Sequence, residues 1–131
     1  MKITANYFWQ NLSSFSDQIA LIDTSTNKSI TYKNLDVEAE KIASKLKSSD
    51  KALIFLFTTN NSESIISYIA ALKSGNAILL LDEKLNDEIR NSLVENYKPD
   101  FIISSNSISP ELYSFSFKYE SLNIIKRTES N

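Results

Sequence analysis

The sequence has 131 residues, of which 42% are hydrophobic and 23% charged, and its formal net charge is −2 at pH 7. This length and balance are typical of a single globular domain, which we place at residues 1–131, and not of a disordered chain. The chain has no cysteine and no histidine, so disulfides, thiolate nucleophiles, Cys/His zinc sites and a Ser-His-Asp triad are excluded within it.

Two kinds of partner also lack support in the sequence. There is no run of Lys and Arg, so we expect no nucleic-acid partner and no membrane surface. The longest apolar runs, Ala52–Phe57 and Ala77–Leu81, are too short to cross a bilayer. Because the N-terminus lacks the apolar core of a signal peptide, we predict a cytoplasmic protein.

The first part of the chain predicts a helix, a hairpin and a second helix. Apolar residues at helical spacing indicate a short N-terminal helix carrying Phe8, Leu12 and Phe15. Two short β-like runs, Ile19–Asp23 and Ser29–Tyr32, flank the turn-forming letters TSTNK and predict a small hairpin. Thr31 is the expected N-cap of the next helix, whose buried face carries Leu35, Ala39, Ile42 and Leu46.

The middle of the chain alternates strands and helices. The strands are predicted at Lys51–Thr59, Asn76–Asp82 and Phe101–Ser104, and the first two are apolar on both faces, as in buried parallel strands. One helix carries Ile65, Tyr68, Ile69 and Leu72, with Asn60 and Glu63 as its capping pair. The other begins at Asn86 or Asp87, carries Ile89, Leu93 and Tyr97, and stops before Pro99.

These elements predict an α/β fold: a doubly wound, mostly parallel sheet with flanking helices, a small N-terminal β-hairpin and a C-terminal antiparallel strand. Gly75, the only glycine, lies where a helix ends and a strand begins with almost no loop between them. A left-handed residue that ends the helix explains it better than contact with a ligand.

The C-terminal strand is predicted from alternating aromatic residues, Tyr113, Phe115, Phe117 and Tyr119. Such an aromatic face either covers part of the core or is meant for a partner absent from this chain. In the second case it offers an exposed apolar surface for a homodimer. The tail, KRTESN, is expected to be frayed.

Candidate chemistry is sparse. Phosphate loops of the Walker and dinucleotide types need several glycines, and this chain has one. Asp82, at the end of a parallel strand, is where a receiver domain keeps its phosphoryl acceptor, but the preceding strand ends without the acidic pair that would hold Mg²⁺. The polar cluster at that edge is equally explained by capping and turns; it comprises Thr58, Thr59, Asn60 and Asn61.

Three segments resemble motifs of the adenylate-forming enzymes, the family of acyl-CoA synthetases, nonribosomal peptide adenylation domains and luciferases. Ile30–Leu35, ITYKNL, is similar to the first core motif, (L/I)-(T/S)-Y-x-E-L. Leu72–Asp82, LKSGNAILLLD, is similar to the second, L-K-A-G-x-A-x-x-P-L-D. Phe15–Ile22 resembles the segment that opens these domains, and the likeness extends from about Asn6 to Ile103.

Members of this family activate a carboxylate with Mg-ATP to an acyl-adenylate and pass the acyl group to a thiol or another acceptor. Both motifs matched here are structural in the family, and the phosphate loop, the nucleotide-binding motifs and the catalytic lysine are absent. The resemblance therefore implies the N-terminal portion of a carboxylate-activating ligase, with ATP and Mg belonging to the full-length parent. We assign no catalytic, cofactor-binding or metal residue in this chain.

Two departures from the motifs are structural: Asn34 stands where the family has Glu, and Leu80 where it has Pro, so the strand through Leu80 is expected to run unbroken. The expected partners are the remainder of the parent ligase and, in the parent, a carboxylic acid. Two alternatives stay open: a stand-alone, non-catalytic α/β protein-interaction module, and a receiver-like domain of the flavodoxin type.

Overall fold

The computed structural model describes residues 17–24, 27–47, 50–59, 61–105 and 112–128. The first two strands, β1 (Ile19–Asp23) and β2 (Lys28–Thr31), pair antiparallel as a two-stranded sheet, which confirms the predicted hairpin. The predicted helix carrying Phe8, Leu12 and Phe15 lies outside the described residues. None of the helices in the described ranges combines the length and hydropathy needed to span a bilayer.

Five further strands form the main sheet: β3 (Leu53–Thr58), β4 (Ala77–Asp82), β5 (Phe101–Ser104), β6 (Tyr113–Tyr119) and β7 (Leu122–Arg127). Their order across the sheet is β4-β3-β5-β7-β6. β3 is parallel to β4 and β5, whereas β7 runs antiparallel to both β5 and β6. The α/β class is confirmed, but the sheet is mixed, so the predicted doubly wound, mostly parallel sheet is not confirmed.

The three helices of the described part are α1 (Tyr32–Ala43), α2 (Ser62–Lys73) and α3 (Asp87–Tyr97). Thr31 caps α1 as predicted, and Asn86, one of the two residues predicted to open α3, caps that helix. Each accepts a hydrogen bond from the third backbone N–H that follows it, at 3.2 and 2.9 Å. The cap of α2 is one residue later than predicted. Asn61, not Asn60, accepts from the Ser64 N–H at 3.0 Å, while Glu63 accepts from Ser121.

The core has two layers, one on each face of the sheet. α1 and α2 cover the larger layer, which β3 enters with Ile54 and Leu56; α3 covers the smaller one, with Phe55 and Phe57. β3 is thus buried on both faces, as its continuous apolar run predicted.

The prediction that β4 is buried on both faces, like β3, is wrong. Leu80 is 50% exposed and Leu79 is 36% exposed. The reason lies in the strand order, because β4 forms one end of the sheet and β3 is its only strand neighbour among the described residues. The strand does run unbroken through Leu80, as the missing proline implied.

Gly75 has the predicted left-handed conformation, with φ of +78°, and its N–H donates to the Leu72 carbonyl at 3.1 Å. Beside it, the buried Asn76 joins three segments. Its Oδ1 accepts from the Ala52 N–H at 2.9 Å, and its Nδ2 donates to the Leu46 carbonyl at 2.8 Å. These bonds fix the end of α2 against the start of β3 and the chain after α1.

The predicted single aromatic face of β6 is wrong. Phe115 pairs with Ile125 and Phe117 with Ile124, so Ser116 is an extra residue that bulges from the strand. Because side chains alternate across a strand, one inserted residue reverses their direction. Tyr113 therefore packs in the α3 layer, while Phe117 and Tyr119 pack in the α1–α2 layer.

The antiparallel neighbour of β5 is β7, a strand that the sequence did not predict. Its residues Ile124 and Ile125 are buried in opposite core layers. Lys126 and Arg127 end this strand, so the expected fraying of the tail does not begin with them.

Candidate functional site

The carboxyl ends of the parallel strands β3, β4 and β5 meet at one edge of the sheet, where open α/β folds bind ligands. Thr58, Asp82 and Ser104 are the last residues of these strands. If this fold binds a ligand in the usual place, the binding residues should be among these three and the loops that follow them.

Asp82 is a turn residue. Its Oδ1 accepts from the Lys84 N–H at 2.8 Å, and its carbonyl accepts from the Leu85 N–H at 3.0 Å. The aligned end of β3 offers Thr58, whose hydroxyl donates to the Leu81 carbonyl at 3.3 Å. No carboxylate of β3 faces Asp82, so the geometry gives no support to a receiver-like phosphoryl site.

The polar cluster after β3 is explained by helix capping. The Thr59 N–H donates to Ser64 Oγ at 3.0 Å, and the Thr59 and Ser64 hydroxyls lie 3.3 Å apart. Asn61 caps α2. Asn60, the remaining member of the predicted cluster, lies outside the described residues.

A second cluster at this edge, which sequence reasoning missed, is built on Arg90 of α3. Its Nη2 lies 3.2 Å from Glu83 Oε1 and 2.7 Å from Ser104 Oγ, and its guanidinium stacks 3.8 Å above the Phe57 ring centroid. The Arg90 and Glu83 side chains are 12% and 17% exposed. The positive charge is thus neutralised and enclosed, so the cluster fastens α3 to the sheet and presents no free cation to an anion.

No local signal identifies this cluster in the sequence, since Glu83, Arg90 and Ser104 come from three separate elements. They meet only because β4 and β5 flank β3 and end at the same edge.

A polar cleft of about 470 Å³ lies between the hairpin, the first turns of α1 and α2, and the β6–β7 turn. Four carboxylates and one lysine line it: Asp23, Glu38, Glu63, Glu120 and Lys28. At the N-terminus of α2, the Ser62 N–H and hydroxyl each donate to Asp23 Oδ2 at 3.3 Å. The helix end that would attract a phosphate is already occupied by a carboxylate.

Two titratable groups of this cleft are perturbed. A hydrogen bond from Lys41, 2.7 Å away, holds the pKa of Glu38 below its ordinary value against the opposing effect of burial. Burial raises the pKa of Tyr119, and the bond from its hydroxyl to Glu38 Oε1, at 2.8 Å, adds to this. Both shifts come from a contact that joins β6 to α1 and are structural in origin.

No built site for Mg-ATP is evident among the described residues. They contain no group of three or more His, Cys, Asp or Glu side chains that could hold a metal ion. The N-terminus of α2 is covered by Asp23, and the first turn of α3 carries Asp87 and Glu88, so both helix ends oppose an incoming phosphate.

Comparison with known proteins gives one family. The sequence model of a family described as AMP-binding enzyme matches residues 8–126. Among individual relatives, a D-alanine--D-alanyl carrier protein ligase of Staphylococcus epidermidis is 32% identical over 80 residues, which is 61% of this chain and 16% of that ligase.

Solved structures show the same fold. A luciferase-like enzyme from the mealworm Zophobas morio matches with a TM-score of 0.63 and 23% identity over 72% of this chain and 23% of its own. An O-succinylbenzoate Coenzyme A synthetase from Bacillus subtilis, in complex with AMP, matches with a TM-score of 0.63 and 21% identity over 80% of this chain and 28% of its own. In each comparison this chain spans less than a third of the matched protein.

Proposed function

The chain belongs to the AMP-binding enzyme family, and on that premise we propose that it is the N-terminal, structural portion of an AMP-forming carboxylate-activating ligase. The complete ligase would convert a carboxylic acid to its acyl-adenylate with ATP and Mg, then transfer the acyl group to a thiol or another acceptor. This chain supplies a part of the scaffold.

One observation carries the proposal: both matched motifs build structure. Ile30–Leu35 forms the end of β2, the Thr31 cap and the start of α1. Leu72–Asp82 forms the end of α2, the left-handed Gly75 and the whole of β4. Within these segments Thr31 caps a helix, Asn76 makes buried hydrogen bonds and Asp82 is a turn residue, so we assign the binding of nucleotide to other parts of the ligase.

The proposed partners are accordingly the remainder of the parent ligase and its carboxylic acid substrate. We place the protein in the cytoplasm, where ATP is available. D-Alanine and O-succinylbenzoate, named in the relatives, are reasonable first acids for a substrate panel.

A second function has a specific observation in its favour. The exposed Leu79 and Leu80 of β4 suit a stand-alone protein-interaction module without catalysis. The continuation of the reading frame beyond Asn131 separates the two functions. A Ser/Thr/Gly-rich loop followed by lysine supports the ligase, and a stop codon directly after Asn131 supports the module.

The test is carboxylate-dependent ATP–pyrophosphate exchange. We expect the purified 131-residue chain to give no exchange with any acid of the panel and no heat of ATP binding at millimolar nucleotide, because no preorganised charges among the residues that the structure describes face a triphosphate. The protein translated from the extended frame should give exchange with one of the acids. Exchange by the 131-residue chain alone would overturn the structural role assigned to it.

A further inference from the structure

The two edges of the main sheet differ in their protection against pairing. The edge strand β6 carries a bulge at Ser116 and a lysine, Lys118, both of which discourage the addition of a strand. The edge strand β4 has neither. Its register with β3 is regular along its whole length, and no charged residue lies between Ala77 and Leu81.

The backbone of β4 is arranged for a second neighbour. The Ala77 N–H donates to the Ala52 carbonyl at 2.9 Å and the Glu83 N–H to the Thr58 carbonyl at 3.2 Å, so the odd-numbered positions of β4 face β3. N–H and C=O groups of successive residues in a strand point to opposite sides. Those of Ile78 and Leu80 therefore point away from the sheet, where no described strand receives them.

Leu80 leaves the β4 edge able to form backbone hydrogen bonds with another strand. In the motif that Leu72–Asp82 resembles, this position is a proline, which has no N–H and is a residue that blocks an edge. Leucine restores the outward donor and adds an apolar side chain that is 50% exposed. The departure from the motif thus replaces a blocked position with an open one.

We propose that the β4 edge binds β4 of a second copy of this chain, antiparallel, in a two-fold symmetric pair centred on Leu79. In this register Ile78 of one copy exchanges backbone hydrogen bonds with Leu80 of the other, and Leu79 faces its own symmetry mate. Ala77 faces Leu81. The two main sheets become one continuous sheet across the dimer.

A second copy fits this edge because β4 is complementary to itself. From Ala77 to Leu81, each pair in the proposed register joins apolar side chains, and no like charges lie opposite each other. Leu80 extends the α1–α2 side of the sheet, where it aligns with Leu56, and Leu79 extends the α3 side, where it aligns with Phe55. One added strand therefore shields both exposed leucines.

The symmetry also limits the assembly. A two-fold contact uses the β4 edge of both copies, and the remaining edges are the protected β6 strands. The product is a dimer and not a fibre. The pairing depends on β4 alone, so it is independent of the carboxylate-activating function proposed above.

Light scattering coupled to size exclusion, over a concentration series of the 131-residue chain, tests the proposal. We expect a concentration-dependent dimer. Leu80→Pro should weaken dimerisation by more than about tenfold, because half of the backbone hydrogen bonds of the seam are lost, while the β3 pairing, which does not use this N–H, is kept. Hydrogen exchange at the Leu80 amide should slow as the concentration rises.

Phe115→Lys is the matched control, since it places a charge on the other edge of the sheet and should leave the dimer unchanged. Circular dichroism and the denaturation midpoint check that each variant is folded. If the Leu80→Pro variant does not fold, Leu80→Lys is used in its place. A wild-type chain that stays monomeric at every concentration overturns the proposal. So does a dimer that survives both Leu80 substitutions, or one that Phe115→Lys dissociates.

Discussion

Gly75 shows how far a single residue type can be understood from sequence. Its position between a helix and a strand predicted a left-handed terminator, and its φ of +78° is that conformation. The preference of threonine for N-caps likewise predicted the Thr31 cap, and the start of α3 was predicted at Asn86 or Asp87. The buried bonds of Asn76 were not predictable, because they join segments 24 and 30 residues away, whose proximity depends on the tertiary fold.

Gly75→Val should lower the free energy of unfolding by roughly 1–3 kcal/mol, through the cost of holding a β-branched residue at positive φ. An added Cβ would meet no atom within 4 Å apart from those of the two chain neighbours, so the expected loss comes from the backbone conformation. Gly75→Asn is the matched control and should lose less, since asparagine tolerates the left-handed region. Chemical denaturation measures both, and a Val midpoint equal to that of wild type would contradict the conformational explanation.

At the scale of the element, β6 shows how a correct secondary structure can have wrongly assigned faces. The strand itself was predicted correctly. Because side chains alternate along a strand, Tyr113 and Tyr119 would lie on the same face, but only in a strand without an inserted residue. The bulge falls on Ser116, a residue type that gives no signal of it. The exposure of β4 was equally hidden, since the two apolar strands look alike and only the strand order gives β3 a neighbour on each side and leaves β4 at an edge.

The bulge predicts different outcomes for two neighbouring phenylalanines. Phe117→Lys should destabilise the protein by about 2–4 kcal/mol, because Phe117 packs against the α1–α2 core layer and a charge there loses both packing and hydration. Phe115→Lys should change stability by less than about 0.5 kcal/mol, since Phe115 is 62% exposed. Denaturation midpoints measure both effects. Equal losses of stability in the two variants would contradict the bulge and support a single aromatic face.

At the scale of the whole molecule, several long-range contacts depend on protons that leave at alkaline pH. Burial raises the pKa of Tyr113 from 10.0 to about 12, and Tyr119 is shifted in the same direction. Burial opposes the charge of Lys73, but hydrogen bonds to Asp36 and Glu40 outweigh it and raise the pKa above the ordinary value. These contacts join β6 to the loop before β5, β6 to α1, and α1 to α2.

The contribution of these groups to the free energy of unfolding should therefore be fully present below about pH 10 and should be lost as the pH rises toward 12. The sign follows from the folded pKa values, which lie above the unfolded ones, so the unfolded chain releases these protons first. Unfolding midpoints and tyrosinate absorbance across this range measure the effect. Tyr113→Phe, which removes one of the titrating groups, should reduce the slope; a stability that is constant from pH 10 to 12 would contradict the prediction.

The position of β3 between β4 and β5 also determines the order in which the sheet can assemble. The chain from β3 to β4 closes over a separation of 24 residues, whereas the bond from Leu53 to Asp100, beside β5, spans 47. Shorter loops lose less chain entropy on closure and form sooner. During synthesis, β3, α2 and β4 are complete well before β5 leaves the ribosome, and until then the inner side of β3 is an open apolar edge. A strand whose four central residues end fully buried thus depends on prompt folding.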